Sequence, residues 1–595
     1  MGSRTPVNIL ILALMLGIGV SCSRQQTVDL IPLEILFGNP TQIQARIAHD
    51  GSNISYLAPY EGVLNIWLKG KDGDRDHRLT NDKGMGIRYH MWMFDNEHIL
   101  YIQDKDGDEN WGVHVVNVNT GEERLLTPTD DEVDHSVRAE LYATDEDEPT
   151  IALIGLNKRD ERILDVYRLD VVTGDLQLIE EGTESSYKWV IDNDLNVRGY
   201  MHSNSDGGSS LFLRDGNEGP FEEAIVWKSE DEMASGPVWF KEDNRILYLL
   251  DSRGRNSAAL YAYDTLIGEQ ELLAEDSMYD VTYLMMHPVT KEAQAALVMR
   301  ERSEWIPLDD DIKEDLRRLS DNARGEIWIT ARTMDDKQWI VYYGADNASG
   351  VYYLYYREEN RFEKLFDTHP ELADLPLVTM QPISFTASDG MELHGYLTLP
   401  SNAEKPVPLV LTVHGGPYAR DHWGFDADAQ WLANRGYACL QVNFRGSTGY
   451  GKEYLNAGDR EWGGRMQDDL TDAVAWAIDQ GIADPERVAI FGASYGGYAA
   501  LSGAAFTPDL YCCAISLVGP SNLVTFLSSI PPYWASFQKA FDIRTGRLPR
   551  YETGEMAGLP KAEADWTEQD KADIEFLRSR SPLYSVDNIR IPMLI

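Results

Sequence analysis

The sequence predicts a β-propeller of about seven blades followed by a doubly wound, mostly parallel α/β sheet. Three observations predict it. A strand–turn–strand pattern recurs between about residues 40 and 370. After about residue 378 buried strands alternate with helices. In that second region FGASYGGYAAL, residues 491–501, has the form of a strand entering a sharp turn with a serine at its tip, then a helix.

The chain has 595 residues, 43% of them hydrophobic and 10% aromatic, so large cores can be buried. Its formal net charge of −44 repels phosphate backbones and argues against nucleic-acid binding. A solubility adaptation is the plain reading of that charge.

Residues 1–22 read as an export signal: Arg4, an apolar run Ile9–Val20 too short to span a bilayer comfortably, then small residues. Gly19-Val20-Ser21-Cys22 resembles a bacterial lipoprotein cleavage box, with Gly19 where leucine is usual. Cys22 is then the lipidated first residue of the mature chain, and the protein is expected to be exported, periplasmic or outer-membrane-associated. Of the other cysteines, Cys439 and Cys513 fall in apolar strand-like runs, so no disulfide framework is visible.

Residues 23–377 hold an N-terminal segment and the propeller. Copies include ILYIQDKDGDENWGVHVVNVNTGEERLLTP, RILDVYRLDVVTGDLQLIEEG and ILYLLDSRGRNSAALYAYDTLIGEQELLAE. Their inner anchors recur roughly every 45–52 residues, the spacing of propeller blades. The sixth copy, near 277–320, is the least regular and carries IPLDDDIKEDLRRL, a helical or loop insertion. DKDGDEN (104–110) departs from a calcium loop, with Glu109 and Val115 where Gly and Glu are needed, and reads as a hairpin turn.

Residues 378–595 are the α/β domain. LVLTV (409–413), YACLQVNF (437–444), VAIF (488–491) and CAISLV (513–518) suit a parallel sheet covered on both faces. Met466, Leu470, Val474 and Ile478 recur at helical spacing. Gly492-Ala493-Ser494-Tyr495-Gly496 fits G-x-S-x-G in its strand–turn–helix context, so the domain reads as an α/β-hydrolase with Ser494 as nucleophile. His414-Gly415-Gly416-Pro417 follows LVLTV, where such a fold needs its second oxyanion donor. The backbone N–H groups of Gly416 and Tyr495 are the expected pair. GSTGYGK has P-loop spacing, but Glu453 stands where Ser or Thr must hold magnesium, so it reads as a Gly-rich loop. No compact metal spacing appears and no cofactor is expected.

HGGPYARDHWGFD, NFRGSTGYGKEY and FGASYGGYAAL, in this order behind a propeller, resemble the prolyl oligopeptidase family of serine peptidases, on its acylaminoacyl-peptidase and dipeptidyl-peptidase-like branch. The resemblance spans nearly the whole mature chain. It implies a propeller that shields the active site and restricts substrates to short peptides. It also implies a specificity pocket near NLVTFLSSIPPYW (522–534), with Tyr533 and Trp534 either lining it or packed into the core. Glu180-Glu181 and Glu222-Glu223 are adjacent acids of the kind that fix a substrate amine in aminopeptidase-type relatives, but such pairs arise by chance among 97 acidic residues.

The triad partners of the serine are expected after it, in the order Asp/Glu then His. No histidine follows His422. The family's Asp and His fall beyond the strand NIRIPMLI, where the sequence stops, so it reads as a C-terminally truncated piece, inactive by itself. His414 is expected to tie the oxyanion loop, and Asp468 and Asp472 to be solvent-facing or structural. The expected activity of the whole protein is serine-type exopeptidase or oligopeptidase hydrolysis. The competing readings are an esterase on the same fold and a non-catalytic propeller binder.

Overall fold

In the computed structural model, which describes residues 29–70, 75–401, 404–531, 534, 537–551 and 558–595, the recurring pattern becomes a ring of seven small sheets. Each blade is built from consecutive antiparallel strands: blade 1 spans 43–78, blade 2 89–125, blade 3 139–180, blade 4 186–227, blade 5 236–274, blade 6 281–307 and blade 7 326–367. Six blades have four strands. The sixth has three, and helix Asp310–Asn322 stands after its last strand. Asp309 caps that helix by accepting from Ile312 N, and Ile312 and Leu319 bury against Trp339 and Tyr343 of blade 7. The irregular sixth repeat is therefore a helix standing in the place of an outer strand.

The blade hairpins reuse one turn chemistry. Asn117, Asp170 and Asp264 each begin a turn whose glycine takes a left-handed φ: Gly121 at +70°, Gly174 at +82° and Gly268 at +74°. Each glycine N–H returns to the carbonyl of the Asn or Asp, at 2.8–2.9 Å. The Asn or Asp side chain accepts from the backbone two residues on, as in Asp170 Oδ1 with Val172 N at 2.8 Å. The short N-x-x-x-G and D-x-x-x-G spacings in the sequence are thus hairpin signals.

Among the described residues no strand is exchanged between blades 1 and 7. Their closure is packing, with Ala45, Ile47 and Tyr56 of blade 1 buried against Ile340, Leu354 and Phe366 of blade 7. Met334 N also donates to His49 O at 2.9 Å.

The second domain is one seven-stranded sheet. Its strands are β1 (Met380–Thr386), β2 (Glu392–Thr398), β3 (Val407–Val413), β4 (Ala438–Asn443), β5 (Ala483–Ala493), β6 (Cys513–Leu517) and β7 (Met593–Leu594), in the order β1-β2-β4-β3-β5-β6-β7. β1, β2 and β4 pair antiparallel, and the rest pair parallel. Helices α1 (Ala427–Asn434), α2 (Arg465–Asp479) and α3 (Tyr495–Phe506) cover it. On α2 the buried stripe is Met466, Leu470, Ala473, Val474 and Ala477; Ile478 is only half-buried, so Ala477 completes the face. Cys439 is buried in β4, Cys513 is half-buried and Cys512 is exposed, so the cysteines are not uniformly core residues.

The N-terminal segment crosses to the sheet domain. Ile31 N donates to Asn434 Oδ1 at 2.7 Å, and Ile31 and Leu36 bury with Leu372 against Trp431. Blades 5 and 6 make the main polar clamp between the domains. Lys452 Nζ meets Asp231 Oδ1 at 2.6 Å, Asp280 N donates to Gly449 O at 3.0 Å, and Arg420 Nη1 donates to Met299 O at 2.8 Å. Residues 1–28, which include the expected export signal and Cys22, lie outside the described residues. Among the described residues no helix is long and apolar enough to cross a membrane.

Candidate active site

Ser494 stands between the end of β5 and the start of α3, with φ 55° and ψ −118°. This is a costly conformation for a residue with a Cβ, on the order of 1–3 kcal/mol, and it persists because its neighbours dictate it. Ser494 N donates to Leu517 O of β6 at 2.9 Å, and Tyr498 N donates to Ser494 O at 3.0 Å. The two flanking glycines are required by space. A Cβ on Gly496 would lie 2.0 Å from Val413 O, and one on Gly492 would lie 2.5 Å from the Gly496 carbonyl carbon. G-x-S-x-G thus lets α3 start directly over the end of β3.

The His414–Pro417 loop leaves β3 beside this turn. A Cβ on Gly415 would lie 3.5 Å from Ser494 Cβ, so the loop and the serine are in contact. Tyr495 is the first residue of α3, and its N–H has no intrahelical carbonyl to bond. Its ring is fully buried, 4.6 Å from the Trp462 ring and 5.2 Å from the Phe444 ring. That packing fixes the helix start, so Tyr495 has only its backbone to offer at the serine. Ser494 itself is exposed.

The His414 ring is half-buried and stacked on Phe444 at 4.5 Å. Burial pushes its pKa down to about 4. Its Nδ1 lies 2.8 Å from Gly415 O and its Nε2 3.0 Å from Ser447 Oγ. Nδ1–H donates to the Gly415 carbonyl, and Nε2 lies against Ser447 Oγ, whose own proton goes to Phe444 O at 2.7 Å. His414 thereby ties the loop to NFRGSTGYGKEY. Asp468 is exposed, and Asp472 accepts from Ser388 N at 2.8 Å.

The sequence did not single out Arg445 and Asp469. Arg445 Nε and Nη2 bond Asp469 Oδ2 and Oδ1 at 2.8 and 2.6 Å, a buried two-point pair that holds the Gly-rich loop on α2. Tyr450 of the same loop meets Asn443 and Arg420, and Lys452 meets Asp231. The loop is therefore a structural tie between the serine platform and the propeller. Only its Arg and the Asp-rich start of α2 hinted at this.

Trp534 lines a cavity of about 560 Å³ between blades 3–5 and the sheet domain. Tyr533 lies outside the described residues. Glu180 pairs with Arg214 at 2.8 Å on the outer strand of blade 3, and Glu222 and Glu223 are exposed on the outer strand of blade 4. Among the described residues no group of three or more His, Cys, Asp or Glu is gathered to hold a metal.

A seven-bladed propeller joined to a hydrolase sheet with a strained serine turn defines a class of serine peptidase. The model of the prolyl oligopeptidase family matches residues 423–543. The chain is 40% identical over 576 residues to dipeptidyl aminopeptidase BIII of Pseudoxanthomonas mexicana, covering 95% of this chain and 80% of that protein. It is 30% identical over 604 residues to dipeptidyl peptidase family member 6 of Caenorhabditis elegans, covering 96% and 78%. Among solved structures, a puromycin-hydrolysing peptidase of Mycobacterium tuberculosis superposes with TM-score 0.69 at 18% identity, covering 94% of this chain and 86% of that one. A prolyl endopeptidase superposes with TM-score 0.71 at 13% identity, covering 94% and 81%. The chain belongs to the prolyl oligopeptidase family, and it is a serine peptidase of that family.

Proposed function

We propose that Ser494 is the acylating nucleophile of an exopeptidase or oligopeptidase acting on short peptides. The carrying observation is the strained, exposed Ser494 at the β5–α3 turn, against the glycine loop that leaves β3. In this reading Ser494 Oγ attacks the scissile carbonyl and passes its proton to an imidazole. The N–H groups of Gly416 and Tyr495 hold the oxyanion, each worth roughly 3–4 kcal/mol in the transition state. The amine leaves with the proton, and water then releases the acyl group.

His414 is engaged by Ser447 and Gly415, so we assign the base to sequence beyond Ile595, together with the Asp that orients it. This chain spans 80% of the Pseudoxanthomonas protein and 78% of the Caenorhabditis one. Residues 1–595 alone are expected to turn over about 10⁶-fold more slowly than a chain carrying the base. Trp534, with Tyr533, is proposed to contact substrate, and Cys22 to be the lipidated residue of an exported protein; both rest on sequence position.

Likeness to a dipeptidyl aminopeptidase and a dipeptidyl peptidase family member favours removal of dipeptides from a free amino terminus. The test is a panel of dipeptidyl and N-blocked anilides, with matching esters, on the full gene product. Turnover of free-amine dipeptidyl anilides is expected. Turnover of esters alone overturns the peptidase assignment, and turnover of blocked substrates alone overturns the aminopeptidase mode.

A further inference from the structure

The inner strands of six of the seven blades carry a bulge. In blades 3 to 7 the extra residue is Tyr142, Lys188, Val238, Thr282 and Thr330 in turn. A bulge leaves its extra residue out of the ladder and re-aims its side chain. Only one of these five residues is charged. Lys188 falls between the paired residues Tyr187 and Trp189 and takes a left-handed φ of 47°, which lysine adopts at a cost. A long cation has been placed where the backbone tolerates it poorly.

Lys188 faces the cavity between blades 3–5 and the sheet domain, whose walls include Tyr142, Trp189, Trp239, Trp534 and Phe537. Phe537 reaches across from the sheet domain to meet the Tyr187 ring edge-on at 5.2 Å. The side chain is accessible inside this chamber, yet enough protein surrounds it that burial lowers its pKa. Its Nζ donates to Pro237 O at 2.7 Å. Among the described residues no carboxylate pairs with it. The other cations of the wall are engaged, Arg138 by Glu140 at 3.0 Å and Arg162 by Asp160 at 2.8 Å and Glu184 at 2.5 Å. An ammonium held by one neutral carbonyl keeps two donors for an anion. In a protein of net charge −44, where acids are everywhere, leaving this lysine without one is a local choice.

We propose that Lys188 binds a carboxylate of a peptide lodged in this chamber, while an apolar side chain of that peptide lies on the aromatic wall. The choice of a peptide rests on the peptidase reading above. The carboxylate comes from the peptide's C-terminus or from an acidic side chain, and both make the same charge-assisted contact. Lys188 thereby sets specificity without touching the reacting atoms.

Equilibrium binding to the chain of residues 1–595, read by tryptophan fluorescence and calorimetry, tests this without turnover. The Ser494→Ala background prevents any hydrolysis. The probes are Ala-Ala-Phe as free acid and as amide, and Ala-Asp-Phe amide against Ala-Asn-Phe amide. The expected result is roughly tenfold tighter binding of the anionic member of at least one pair. Lys188→Met should erase that preference and leave the neutral member's affinity unchanged, while Lys188→Arg should keep it. Lys188→Asn, whose side chain accepts a left-handed φ, reads the same quantity if the Met variant misfolds. The acid–amide pair reports the C-terminus, and the Asp–Asn pair reports the side chain. No charge preference in either pair, or one that survives Lys188→Met and Lys188→Asn, overturns the proposal. A preference that depends on Lys188, in a gene product that cleaves no peptide, would sink the peptidase assignment and leave this one standing.

Discussion

Ser447 Oγ lies 3.0 Å from His414 Nε2, and this contact turns the histidine nearest the serine loop away from base chemistry. With its pKa held down to about 4 by burial, the ring is neutral across the working pH range. Loss of a true base costs about 10⁶-fold in turnover. His414→Gln in the full gene product is expected to cost no more than about 10²-fold, through a loosened oxyanion loop. A loss near 10⁶-fold would make His414 the base.

Gly496 meets Val413 O so closely that any Cβ must move β3 or α3. Gly496→Ala is expected to destabilise the sheet domain by about 1–3 kcal/mol or more, read as a lower urea midpoint. A midpoint equal to wild type would show that the turn yields at no cost.

Asp421, in the loop after Pro417, carries a buried Oδ2 without a partner, and the nearby Gln441 Oε1 also lacks one. Burial, reinforced by the Asp426 charge, raises the Asp421 pKa to about 8. Arg420 beside it is spent on Met299 O, Arg300 O and the Tyr450 hydroxyl. The folded pKa exceeds the unfolded value near 4, so the folded chain retains a proton that the unfolded chain loses. The stability from that proton is present at low pH and is lost as pH rises through about 8. Asp421→Asn is expected to flatten the fall in urea midpoint between about pH 5 and pH 9. An unchanged slope would place the titration elsewhere.

Lys452 and Asp231 join the Gly-rich loop to the propeller through a largely buried pair at 2.6 Å. Lys452→Met strands the carboxylate beside Ser252 and is expected to cost about 3 kcal/mol. Calorimetry should then show the propeller and the sheet domain melting apart. A single unshifted transition would mean the pair does not couple them.

Much of this was legible in the sequence because the signals are local. The N-x-x-x-G and D-x-x-x-G turns, the helical spacing of Met466, Leu470 and Val474, and G-x-S-x-G each act within a few residues. Contacts set by register or by distant packing were not legible. Ile31 meets Asn434 across some four hundred residues of chain. The bulge at Lys188 depends on how Tyr187 and Trp189 pair with Met201 and Tyr200, which composition does not encode. The Arg445–Asp469 pair was hidden because α2 opens with two adjacent aspartates, and only packing decides that Asp469 turns inward while Asp468 faces water.

Mapping a fluorophosphonate adduct on the full gene product is the most direct measurement of the central claim. One covalent adduct on Ser494, abolished in Ser494→Ala, is the expected result. An adduct on another side chain, or equal labelling of the Ser494→Ala protein, would contradict it.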